Sequence, residues 1–116
     1  MRSLSNIMLG ICILSFGAYA TEECTEIRFA HGATSVEIKG EAPPDDVLCY
    51  LMRTGANQQA KIQMLEGVNT VVTVLDVADA REEISFTTQA RQYEIRVGQL
   101  MRAIEAEPFR IFVSVK

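Results

Sequence analysis

From Thr25 onward, apolar side chains recur at every second position, and turn-forming residues interrupt them every eight to twelve positions or so. That is the signature of an antiparallel β-sandwich or barrel, not of amphipathic helices. Ile27 and Phe29 form the first stripe, His31-Gly32-Ala33 a turn, and Val36 and Ile38 the next stripe. The loop over 40–46 carries Pro43-Pro44, which cannot donate ladder hydrogen bonds. Leu48, Tyr50 and Met52 then alternate, residues 54–57 turn, and Ile62 and Met64 answer as the second arm of a hairpin. Glu66-Gly67-Val68-Asn69 turns again into residues 70–75, whose β-branched run predicts a strand buried on both faces.

An acidic loop over 76–83 follows, and alternation returns at Ile84 and Phe86, at Tyr93, Ile95 and Val97, and at Phe109, Ile111, Val113 and Val115. Residues 99–107 break the pattern. Leu100, Met101 and Ile104 fit a helical stripe that Pro108 would stop, so the segment reads either as one or two helical turns or as the arm of a long hairpin. The expected fold is all-β: a small antiparallel β-sandwich of about eight strands, with at most a short helical turn near 99–106.

The start of the chain follows a different logic. Arg2, the apolar run over 7–18 and Ala18-Tyr19-Ala20 have the layout of a secretory signal peptide cleaved after Ala20. The run, interrupted by Ser15 and Gly17, is shorter than the roughly 20 apolar residues that span a bilayer, so no membrane insertion is expected. The reading is a periplasmic or secreted protein, with residues 1–20 as signal peptide and 21–116 as one β-sandwich domain. Of 116 residues, 96 remain after cleavage, near the lower edge of what one apolar core sustains unaided.

Three cysteines occur, and Cys12 leaves with the signal. Cys24 and Cys49 are then the only thiols in an oxidising compartment, which predicts a disulfide between them. Of eleven Lys and Arg, ten remain without Arg2, against fifteen Asp and Glu, a net charge of minus five. Nucleic acid and anionic membrane, which are bound through basic patches, are poor partners for such a chain; a basic protein is a better one.

The chemistry available is sparse. His31 is the one histidine, placed in a turn beside Gly32, and there is no glycine-rich phosphate loop, so an enzyme is not expected. Asp45 with Asp46, and Asp76 with Asp79, Glu82 and Glu83, lack the alternating oxygen spacing and glycine of a calcium loop; neither metal nor cofactor is predicted. The arginines are more informative, because a planar guanidinium pairs bidentately with carboxylates. Arg96 and Arg110 alternate with core positions as solvent-facing strand residues do. Arg102 stands outside the alternation, beside Leu100 and Met101, and is the foremost candidate for a partner contact.

Ile27-Arg28-Phe29-Ala30-His31-Gly32-Ala33-Thr34-Ser35, Gly40-Glu41, Tyr50, Gly55, Tyr93-Glu94-Ile95-Arg96-Val97 with Gln99, and the closing Val113-Ser114-Val115-Lys116 resemble, in order, the periplasmic lysozyme inhibitors of the g-type and i-type classes. Those are similar in turn to pre-peptidase C-terminal β-sandwich modules. The resemblance implies a periplasmic sandwich that blocks a lysozyme cleft by stoichiometric binding, a cationic loop residue meeting the catalytic carboxylates. It implies Arg102 as the contact, with Arg91 and Tyr93 nearby. Arg102 is displaced by one position from the inhibitors' functional arginine, their second arginine has no counterpart here, and the segment over 76–88 is shorter than theirs and lacks tyrosine.

Two other function classes fit the same fold. A sugar-binding or cell-wall-binding module needs an aromatic platform, for which residues 21–116 offer no Trp and only Tyr50 and Tyr93 as tyrosines. A structural interaction domain of the envelope needs neither. Nothing in the pattern sets an oligomeric state.

Overall fold

The computed structural model describes residues 23–116, so the signal-peptide expectation lies outside the described residues. Among these, nine strands form: β1 (Cys24–Glu26), β2 (Ser35–Ala42), β3 (Leu48–Thr54), β4 (Gln59–Gly67), β5 (Thr70–Val74), β6 (Ala78–Arg81), β7 (Glu83–Thr87), β8 (Arg91–Gln99) and β9 (Glu107–Val115). They make a four-stranded sheet, β2-β9-β4-β7, and a five-stranded sheet, β1-β3-β8-β5-β6. Neighbours run antiparallel except β1 and β3, which are parallel.

Period-two alternation is what packs the two layers. Tyr50 and Met52 on β3, Tyr93, Ile95 and Val97 on β8, and Val72 and Val74 on β5 face Ala60 and Ile62 on β4, Ile84 on β7, and Phe109, Ile111 and Val113 on β9; all are buried. Each fully buried Ile, Val or Met contributes roughly 1.5–3 kcal/mol. Ile27 and Phe29, expected as a strand stripe, follow β1 as irregular chain; they still pack on the core, and the Ile27 N–H reaches the Leu51 carbonyl at 2.9 Å.

Several expectations are corrected. β3 and β4 are not a hairpin, because they belong to opposite sheets and the turn between them crosses the sandwich. Residues 99–107 are neither helix nor hairpin arm for the same reason: β8 and β9 lie in different sheets, and the chain between them is an irregular loop. Only β5 and β6 are consecutive strands in one sheet. Alternation states which side chains face inward, and both sheets face the same core, so it carries no information on which sheet a strand joins. Pro108 is the second residue of β9; pairing with β4 begins only at Phe109, so its missing N–H falls before the strand is flanked on both sides.

β5 is buried on one face, not two: Thr70, Val72 and Val74 are inside, while Val71 and Thr73 are half-buried on an outer face that no helix covers. The acidic segment 76–83 is not a plain loop either, since it contributes β6, paired with β5 across a register shift. Thr73 explains part of this, as its Oγ1 accepts the N–H of Ala80 at 2.9 Å, and Ala80 takes the positive φ (48°) of a bulged residue.

A second bulge has consequences for the surface. Arg110 pairs with Glu66 and Ile111 with Met64, leaving Leu65 as the extra residue on β4. The extra residue reverses the alternation, so Glu66 turns outward beside Arg110 while Gly67 comes opposite Phe109. Gly67 is required there: its φ is 156°, and a Cβ would collide with the Thr70 hydroxyl. Gly40 flanks Phe109 on the other side, and a Cβ on it would stand 2.8 Å from the ring.

Candidate protein-docking site

Three connections meet at one end of the sandwich: the β2–β3 loop (43–47), the β4–β5 turn at Val68 and Asn69, and the β8–β9 loop (100–106). Two amides hold the last of these. Asn69 accepts the Met101 N–H on its side-chain oxygen (2.9 Å), donates its NH2 to the Met101 carbonyl, and accepts the Leu100 N–H on its backbone carbonyl (2.8 Å). Gln99 donates to the carbonyls of Ala42 (3.1 Å) and Glu105 (3.0 Å) and accepts the Ala103 N–H (2.7 Å). The loop thus has no regular structure and yet has fixed backbone partners, which lowers the entropy lost on docking.

The pinned loop displays an unusual set of side chains. Leu100, Met101 and Ile104 are 61%, 72% and 95% exposed, and Val68 across the turn is 77% exposed. Arg102 stands among them, its Nη2 2.6 Å from Asp45 Oδ1, with both side chains largely in solvent. A solvated pair of this kind contributes at most ~1 kcal/mol and is readily exchanged for another carboxylate. An exposed apolar cluster around one guanidinium is the composition of a protein-binding patch, in which Arg and large apolar groups supply most of the affinity.

Arg91 and Tyr93 do not share this surface, which corrects the expectation that they lie near Arg102. They sit at the start of β8 and Arg102 lies beyond its end, a strand of nine residues, roughly 26 Å at about 3.3 Å per step. Their surroundings give them structural work. The Tyr93 ring is buried, packs edge-on against Phe86 at 5.0 Å, and its hydroxyl accepts the Gln89 N–H at 3.0 Å. Arg91 lies over the Tyr93 ring, 4.4 Å from its centre, and reaches Asp76 at 3.5 Å.

The other charged groups pair across strands. Arg110 bridges Glu37 on β2 (2.7 Å) and Glu66 on β4 (2.9 Å), and its guanidinium holds the Glu66 carboxyl below the usual range, first by hydrogen bonding and then by charge. Arg96 pairs with Glu94 at 2.7 Å. His31 is exposed in its turn, with Gly32 at φ 81°. Cys24 and Cys49 are directly opposite on β1 and β3 and are joined by a disulfide, Cα to Cα 4.5 Å. Glu94 stands beside these sulfurs, but sulfurs bonded to each other present no thiolate to a metal. Tyr50 and Tyr93 are both buried, and burial pushes the Tyr50 phenol up, so neither offers a stacking platform for a sugar.

Sequence reasoning singled out Arg102 and missed its frame. Asn69 read only as a turn residue, and Gln99 only as the start of the segment that breaks the alternation and as a residue of the resemblance. The one signal for them was the pairing of amide side chains with a segment that has lost its alternation, since such a segment must satisfy its backbone groups through side chains.

By sequence, no protein-family model and no curated protein matches the chain. By structure it is similar to a periplasmic inhibitor of g-type lysozyme, PliG, from Aeromonas hydrophila: 24% identity, 80% of this chain and 96% of that one covered, TM-score 0.68. The PliG of Salmonella Typhimurium follows at 15% identity, 83% and 100% coverage and TM-score 0.67. The pre-peptidase C-terminal domain of a Bacillus anthracis collagenase is similar at 16% identity, 82% and 96% coverage and TM-score 0.51. The resemblance noted on strand and turn residues therefore holds in three dimensions, and at these identities what the chain shares with these proteins is the β-sandwich fold.

Proposed function

We propose that this protein is an exported, periplasmic inhibitor that binds a lysozyme stoichiometrically and presents the 100–106 loop to its substrate cleft. The observation that carries the reading is the loop itself: irregular backbone held by Asn69 and Gln99, with Arg102 displayed among exposed Leu100, Met101 and Ile104. A lysozyme cleft holds a pair of catalytic carboxyl groups, and a guanidinium already seated on a solvated carboxylate can exchange Asp45 for one of them at little cost. The acidic body of the protein suits a basic lysozyme, which it would attract over distance and faster at low salt. The 76–88 segment has no part in this reading, since most of it is built into β6 and β7 and its exposed charges, Arg81 apart, are acidic.

The test is titration of the purified, disulfide-bonded protein into lysis assays with g-type, i-type and c-type lysozymes at moderate salt. Inhibition of one class that saturates near one equivalent supports the proposal, and no inhibition of any class refutes it. N-terminal sequencing of the exported protein checks cleavage after Ala20 and the periplasmic destination together.

A further inference from the structure

The docking loop carries a second chemistry beside the Arg102 guanidinium, the thioether of Met101. Among the described residues there are three methionines, and they differ sharply. Met52 is fully buried between the sheets, and Met64 is part-buried with its sulfur accepting the Thr70 hydroxyl at 3.4 Å. Met101 is 72% exposed. Asn69 holds both its N–H and its carbonyl, so the backbone that carries this exposed side chain is fixed. Leu100 and Ile104 on the same loop, and Val68 next to the Asn69 that clamps Met101, are exposed apolar side chains as well.

We infer that Met101 is an oxidant-sensitive modification site, and that its conversion to the sulfoxide switches the docking loop off reversibly. The chemistry needs a two-electron oxidant of the peroxide class. With hydrogen peroxide the sulfur lone pair attacks one oxygen, the O–O bond breaks as the S–O bond forms, and water leaves after proton transfer; sulfur is oxidised by two electrons and the two peroxide oxygens are reduced by one each. A flexible apolar side chain becomes a polar one, which a methionine sulfoxide reductase can restore. Inside a patch that must lose its water on docking, the new oxygen has no partner among Leu100, Ile104 and Val68. The change leaves the core untouched, since the site lies outside both sheets.

The site itself is tested without any lysozyme. Purified disulfide-bonded protein is treated with hydrogen peroxide, and oxygen uptake is followed by peptide mass spectrometry. The Met101 peptide should gain one oxygen about tenfold or more faster than those of Met52 and Met64, with an unchanged melting temperature. Equal rates, or unfolding in step with Met101 oxidation, overturn the assignment. The switch rests on the function proposed above and is tested on the lysozyme found there. Oxidised protein should bind about tenfold or more weakly and recover with reductase, whereas Met101→Leu, compared with its own untreated affinity, should not change on peroxide treatment. Unchanged affinity after oxidation overturns the switch while the inhibitor reading stands. Failure of the unoxidised protein to bind any lysozyme refutes that reading and the switch with it, and leaves the mass shift to decide the modification site alone.

Discussion

Asn69 grips Met101 as a paired strand would, its side-chain oxygen accepting the Met101 N–H at 2.9 Å while its amide donates to the Met101 carbonyl. Asn69 does this from the left-handed region, φ 65°, a conformation that asparagine tolerates better than other side-chain-bearing residues. Asn69→Gly keeps the backbone conformation and removes the clamp. It should cost about 1–2 kcal/mol of stability for two lost hydrogen bonds. Amide exchange at Leu100 and Met101 should quicken while the β8 amides keep their protection. Unchanged exchange at Met101 would mean that Gln99 and the backbone carbonyl of residue 69 suffice to hold the loop.

Arg102 is separable from the fold. Its guanidinium is exposed and its one close partner, Asp45, lies on another exposed loop, so Arg102→Ala should leave the melting temperature nearly unchanged. Affinity for a lysozyme partner should fall by about 2 kcal/mol or more, the scale of arginines that anchor an interface. Calorimetric titration of both proteins at two salt concentrations is the measurement. A loss of affinity that vanishes at high salt would place Arg102 in long-range steering and not in contact.

The disulfide fastens a short edge strand. β1 is three residues long and, among the described residues, pairs with β3 alone, and Ile27 and Phe29 follow it onto the core. Cys24 and Cys49 are 25 positions apart, and closing a loop of that length stabilises a chain by about 3 kcal/mol in the entropy model. Reductant should therefore lower the denaturation midpoint by a corresponding amount, and near-neighbour amides on β1 and at Ile27 should lose exchange protection first. A midpoint that does not move would show that β1 holds by pairing and packing alone.

How much of this was legible in the sequence follows from what alternation encodes. Ile95, Val97, Ile111 and Val113 declared their inward faces, because a strand side chain has two directions and only one leads away from water. The pairing partners were not declared. β3 and β4 read as a hairpin since a short polar turn joins them, yet the turn crosses between sheets, and no local residue preference distinguishes the two courses. The bulges at Leu65 and Ala80 escaped for a related reason: each adds one residue to one strand, visible only once the partner strand is known. Arg102 stood out because it broke the pattern. The resemblance grouped Arg91 and Tyr93 with it, while an extended strand carries residues apart faster than any other element.

Arg110 shows how one of those bulges reaches the surface and into pH dependence. With Leu65 as the extra residue, Glu66 faces Arg110 at 2.9 Å while Glu37 meets the same guanidinium from β2 at 2.7 Å, so three strands are tied by one side chain. The hydrogen bond and charge of Arg110 lower the Glu66 carboxyl from its ordinary 4.5. A carboxyl lowered on folding contributes stability that is fully present above the unfolded value and is lost as pH falls through the folded one. Glu66→Gln removes that contribution at neutral pH and has nothing further to lose in acid. The stability gap between the native protein and Glu66→Gln, measured by denaturant titration from pH 7 down to pH 2, should therefore be widest above about 4.5 and shrink below it. A gap of constant size across that range would make Glu66 a steric partner of Arg110 and not an ionic one.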